Sequence, residues 1–87
     1  TINGFRIQVY ETSSSEKVNS VLRKYKKKMV DSLYVKFEAP LYKIQYGNFS
    51  EKYEAEKVKK KLRQKGFKNI WIVRSRIEQQ YLLRPKE

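Results

Sequence analysis

The sequence predicts an α+β fold: a split βαβ arrangement, βαββαβ in chain order, with a four-stranded antiparallel sheet and two helices on one face. Three observations predict it. Apolar residues alternate with period two in four short stretches, as in half-buried strands. Two longer stretches place apolar residues at helical spacing, and the order along the chain is strand, helix, strand, strand, helix, strand. The chain also echoes itself. A single ungapped shift lays Phe5 on Tyr42, Ile7 on Ile44, Gln8 on Gln45, Ser13 on Ser50, Val18 on Ala55, Val21 on Val58 and Tyr25 on Leu62. Neither half can bury its apolar face alone, so the two should pack as a pseudo-symmetric pair. In this ferredoxin-like (RNP-like) topology the first and third strands are central neighbours, which brings the two copies of "IQ" together.

Each element has its own warrant. Residues 5 to 10 put Phe5, Ile7 and Val9 on one face and Arg6, Gln8 and Tyr10 on the other. Ser13 with Glu16 three residues on has the spacing of a capping box. Beyond it Val18, Val21, Leu22, Tyr25 and Met29 form the apolar stripe of a first helix over residues 14 to 29. Leu33, Val35 and Phe37 alternate with Tyr34, Lys36 and Glu38 in a second strand, which Ala39-Pro40 ends as a turn. In "YKIQYGNFS" Tyr42, Ile44 and Tyr46 point one way, and Lys43 and Gln45 the other. Ser50 is placed to cap a second helix over 51 to 65, with Ala55, Val58 and Leu62 inward and Gly66 as its C-terminal stop. Ile70-Trp71-Ile72-Val73 reads as a short last strand. The register with Ile70 and Ile72 inward turns Trp71 outward and exposes fewer aliphatic groups.

Composition narrows the function. At 87 residues the chain holds one modest core, expected over residues 4–78 with a tail at 79–87. Cys and His are both absent, which argues against a metal site, a cofactor or a nucleophile–base pair and so against an enzyme. The net charge of +12 favours an anionic partner. Yet residues 14 to 29 and 51 to 65 carry +5 and +4 of it, on helices that face away from the open sheet. No apolar run approaches the ~20 residues of a membrane-spanning helix. The chain begins at Thr1 without Met and shows no signal peptide, so it is expected to be part of a longer protein.

With both helices on one side, the other sheet face is bare. The alternation assigns to it Arg6, Gln8 and Tyr10, Tyr34 and Lys36, Lys43 and Gln45, and Trp71 with Val73. Each Gln amide offers two donors and an acceptor, while Trp and Tyr present flat apolar plates with polar rims. Amides at the centre and plates at the sides suit a sugar chain, whose rings have C–H faces and hydroxyl edges.

The pieces "FRIQV", "YKIQYGNFSEKYEAEKVKKKL" and "GFKNIWIV" resemble the SPOR domain, the sporulation-related repeat of bacterial cell-division and envelope proteins. Its halves typically read as a strand ending near Val-Gln-Val-Gly-x-Phe, then a helix with an Ala-Glu-Ala-like run. The second repeat, with Gly47, Phe49, Ala55 and Leu62 in place, is the more specific, and "FEAPLYKIQYGNF" resembles the variant of Bacteroidetes-type envelope proteins. The resemblance implies a non-catalytic module that binds denuded, peptide-free peptidoglycan glycan strands across the open sheet face. It also implies a periplasmic or envelope location enriched at the division septum, in a monomeric domain of a larger envelope protein. The family's recurrent first-strand Gln maps onto Gln8, and its outer-strand aromatics onto Tyr34 and Trp71. In the first repeat Tyr10-Glu11-Thr12 replaces Gly-x-Phe. The loop into the first helix should therefore pack differently, with Tyr10 filling part of the groove.

Two readings from other classes stay open. RNA-recognition motifs share the element order and would welcome the charge. Their central strands, however, carry stacking aromatics where this chain has Arg6, Gln8, Lys43 and Gln45, and the RNP1 pattern is missing. Nucleic acid is therefore the weaker reading. A protein–protein adaptor using the same face is the other.

Overall fold

The computed structural model describes residues 2–29 and 32–77, so the expected tail at 79–87 lies outside the described residues. The elements follow the expected order: β1 (Ile2–Thr12), α1 (Ser15–Lys28), β2 (Leu33–Glu38), β3 (Leu41–Phe49), α2 (Lys52–Gln64) and β4 (Trp71–Ile77). The strands form one sheet in the order β2-β3-β1-β4, antiparallel throughout. Val18 of α1 and Ala55 and Leu62 of α2 join Ile7, Val9, Ile44, Tyr46 and Phe49 in a single buried cluster. A shared cluster of this kind puts both helices on the same sheet face. The largest fully buried side chains are Ile7 and Ile44, equivalent positions of the two half-repeats. Each such burial stabilises by about 1.5–3 kcal/mol.

The element ends differ from the sequence reading in four places. Ser14, not Ser13, caps α1: its hydroxyl accepts from the Lys17 N–H at 3.1 Å. Glu51, not Ser50, is the first residue of the α2 cap, and its N–H donates to the Glu54 carboxylate at 3.3 Å. Ser50 supports that carboxylate from the side, 3.4 Å away. β1 and β4 both run longer than expected, because Ile2 through Gln8 pair residue for residue with Ile77 back to Trp71.

The central pair carries two irregularities. From Phe5↔Phe49 to Ile7↔Tyr46, β3 uses one residue more than β1; from Gln8↔Gln45 to Tyr10↔Ile44, β1 uses one more than β3. These are β-bulges, and each shifts the alternation of the strand that holds the extra residue. Gly47, in the first bulge, has φ +79°, and a Cβ there would lie 2.6 Å from the Phe49 ring. Gly66, after α2, has φ +105° with open space around it, while the Phe67 N–H returns to the Leu62 carbonyl at 3.0 Å. Gly47→Ala is therefore expected to cost about 3 kcal/mol, from backbone strain plus the ring clash, and Gly66→Ala about 1 kcal/mol, from strain alone. Urea denaturation of the two variants checks the ranking; equal losses would mean that the Phe49 ring moves aside freely.

Candidate functional site

The bare face is organised by register. Tyr34 of β2 pairs with Gln45 of β3, Gln45 with Gln8 of β1, and Gln8 with Trp71 of β4. One row thus crosses the whole sheet, with two amides in the middle and an aromatic ring at each side. At about 4.8 Å between strands, the row spans roughly 14 Å, room for a short run of linked sugar rings. Trp71 pairs with Gln8 and so shares its face, where it is 44% exposed.

The amides are less accessible than their position suggests. Gln8 is 3% and Gln45 4% exposed. Gln8 Nε2 donates to Glu11 Oε1 at 3.0 Å, and Gln45 Nε2 makes a long contact of 3.5 Å to Gln8 Oε1. Arg6 explains part of the cover. Its guanidinium carbon lies 3.8 Å from the centre of the Tyr34 ring. The contact joins side chains of β1 and β2 over β3, which lies between them. The guanidinium also donates to Asn48 Oδ1 at 3.0 and 3.3 Å and to Ser75 Oγ at 3.3 Å. Asn48 Nδ2 in turn donates to the Tyr34 hydroxyl at 2.6 Å. Arg6, Tyr34 and Asn48 hold one another in place, with the cation over the aromatic face.

Lys36 and Lys43 are opposite each other on β2 and β3. Both are engaged: Glu38 lies 3.2 Å from the Lys36 ammonium and 2.7 Å from that of Lys43. Hydrogen bonds from Lys43 and then Lys36 hold the Glu38 carboxyl below its ordinary range, and the bond to Glu38 raises Lys43. An anionic ligand must therefore compete with a carboxylate already in place.

Tyr10 is the one site candidate that the structure moves. The second bulge puts it opposite Ile44, a core residue of the helix face. There its ring meets Tyr25 of α1 edge-on at 6.5 Å, and Tyr25 meets Phe67 at 5.1 Å. Burial, and then the neighbouring Tyr10, push the Tyr25 phenol above its usual range. Tyr10 supports the core and does not fill the groove. The other candidates, Arg6, Gln8, Tyr34, Lys36, Lys43, Gln45 and Trp71, share the open face. Sequence reasoning missed Glu11, Asn48, Glu38 and Ser75 there. Glu38 was legible, since it alternates with Lys36 and Tyr34; the other three depend on bulges or on the extension of β4.

On this geometry the family can be stated. The SPOR domain family matches residues 2–74, and the chain belongs to it. Among solved structures the chain is similar to the solution structure of the peptidoglycan binding domain of the B. subtilis cell wall lytic enzyme CwlC. The TM-score is 0.69 over 86% of this chain and 92% of that one, at 20% sequence identity, a likeness of fold. A search of curated protein sequences gave no significant match.

Two outcomes follow from these placements. Tyr10→Ala is expected to lower stability by about 2 kcal/mol through lost ring packing, whereas Trp71→Ala, at an exposed position, should change it little; thermal melts of both variants decide, and the reverse ranking would contradict the assignment of faces. The Glu38 carboxyl is depressed in the folded state, so its stabilisation is present at neutral pH and lost as pH falls through that lowered value. Glu38→Gln should lack this acid-side component in a series of denaturation curves against pH; an unchanged pH profile would show that the lysine contacts contribute nothing in solution.

Proposed function

We propose that this domain is a non-catalytic module that binds peptidoglycan, recognising denuded glycan strands along its open sheet face. In this reading it directs its parent protein to the cell envelope, with enrichment at the division septum, and acts as a monomer. Membership of the SPOR family supports it, as does the fold shared with a peptidoglycan binding domain. The observation that carries it is the row Tyr34–Gln45–Gln8–Trp71 lying in register across four strands.

The chemistry of the row matches that of an extended polysaccharide. Trp71 can lie against the C–H face of a pyranose ring, with Tyr34 as a second plate at the far side. The amides between them address hydroxyl and acetamido groups. Removing the stem peptide leaves a carboxylate on each muramic acid lactyl group, and Arg6, Lys36 and Lys43 supply cations along the same face. Each exposed pair contributes at most ~1 kcal/mol and weakens with salt, and Glu38 reduces the share of the two lysines further. Selectivity for denuded strands then comes mainly from exclusion: an attached peptide clashes with the groove and removes the charge to be paired.

Pull-down with purified sacculi before and after amidase digestion tests this directly. Binding that rises strongly after digestion is expected; equal binding to both preparations rejects denuded-strand selectivity, and binding to neither rejects the wall as ligand. Trp71→Ala should weaken binding by about thirtyfold, the ~2 kcal/mol of a contact hot spot. Tight RNA binding with a steep salt dependence in gel shifts would favour the nucleic-acid reading over this one.

A further inference from the structure

The two hydrogen bonds at the centre of the row have a direction. An ionised carboxylate only accepts hydrogen bonds, so Glu11 obliges Gln8 to turn its Nε2 toward it, as seen at 3.0 Å. That orientation aims Gln8 Oε1 at β3, and Gln45 answers with its own Nε2 at 3.5 Å. One N–H of each amide is thus committed toward Glu11. What is left at the end of the chain is Gln45 Oε1, a buried acceptor with no hydrogen-bond partner among the described residues. A neutral amide pair with no charged neighbour could run in either direction with equal ease. Here the direction comes from Glu11, which is on the open face only because of the bulge at Val9 and Tyr10: Glu11 pairs with Lys43, while both bulge residues turn inward.

We propose that Glu11 is a positioning residue that polarises the Gln8–Gln45 amide pair, so that the platform meets its ligand with an acceptor at Gln45 and selects a neutral N–H or O–H donor there. The proposal rests on the glycan reading above and adds a rule of polarity to it. A sugar acetamido N–H or hydroxyl supplies the missing donor once the ligand parts the Arg6–Tyr34 stack that lies across β3. A ligand carboxylate is refused at this point, because Gln45 Oε1 and Glu11 present acceptors, and is directed to the cations of the row's flanks. An unmet buried acceptor destabilises the free domain by about the cost of a lost hydrogen bond, and that deficit is removed on binding.

The test uses isotope-labelled domain with the side-chain amide resonances of Gln8 and Gln45 assigned, first without ligand. Glu11→Gln keeps the size of the side chain but can donate as well as accept, so it no longer imposes a direction. Both amide resonances should then move, Gln45 through Gln8, while core backbone resonances stay in place; Glu11→Asp should retain part of the wild-type pattern. A shift at Gln8 alone, with Gln45 unmoved, overturns the relay. In the second arm, binding of amidase-denuded glycan is titrated. Glu11→Gln is expected to lose about tenfold in affinity, the loss typical of one charge-fixed hydrogen bond, and Gln45→Met, which lacks the acceptor, a similar amount. Unchanged affinity in both variants overturns the proposal. Should wild-type domain fail to bind glycan at all, the functional reading falls, and the ligand-free spectra still decide whether Glu11 orients the pair.

Discussion

The antiparallel pairing of β1 with β3 is the constraint on which the rest of this molecule depends. It joins the two half-repeats at the centre of the sheet, and it serves both faces at once. On the helix side it brings Ile7 and Ile44 into the centre of the core; on the other it sets Gln8 against Gln45. The side-chain period of a strand is two, so a slip of one residue in this pairing would exchange the faces and bury the wrong set. Helices, outer strands and the amide–aromatic row are all placed by that register.

The bulges show how a repeated sequence yields a site that is not symmetric. One extra residue on β3 turns Asn48 toward Arg6 and Tyr34, and Gly47 supplies the backbone conformation that the local geometry needs. One extra residue on β1 sends Tyr10 into the helix layer and brings Glu11 to the open face. The two halves share a pattern of burial and each puts one amide in the row, yet beside it the first half adds the Glu11 carboxylate and the second the Asn48 amide. Any polarity in ligand recognition arises from that difference.

Much of this was legible in the sequence, for identifiable reasons. Period-two alternation marks all four strands, and the echo of "IQ" places Gln8 beside Gln45. Trp71 was assigned to its face by counting which register exposes fewer isoleucines. Tyr10 was misplaced because strict alternation cannot register an inserted residue, and nothing in Val9-Tyr10-Glu11 resembles the glycine that marks many bulges. The cap of α1 was off by one because Ser13, Ser14 and Ser15 offer three equivalent hydroxyls in succession. The apolar run Ile70–Val73 marks only part of the last strand, because pairing with β1 extends β4 past it to Ile77, which is 2% exposed. The burial of the two glutamines is not visible in the alternation, which says nothing of side chains such as Arg6 and Tyr34 that meet over a strand between their own.

The central claim is that an extended glycan lies along the row from Tyr34 to Trp71. Titrating labelled domain with soluble denuded glycan oligomers, and mapping which resonances move, tests it most directly. The account predicts that the Trp71 indole and the Gln8 and Gln45 side-chain amides respond together, while the lysine-rich outer surfaces of α1 and α2 stay silent. Perturbation confined to those helices, or a saturating interaction that leaves the row unmoved, would contradict it.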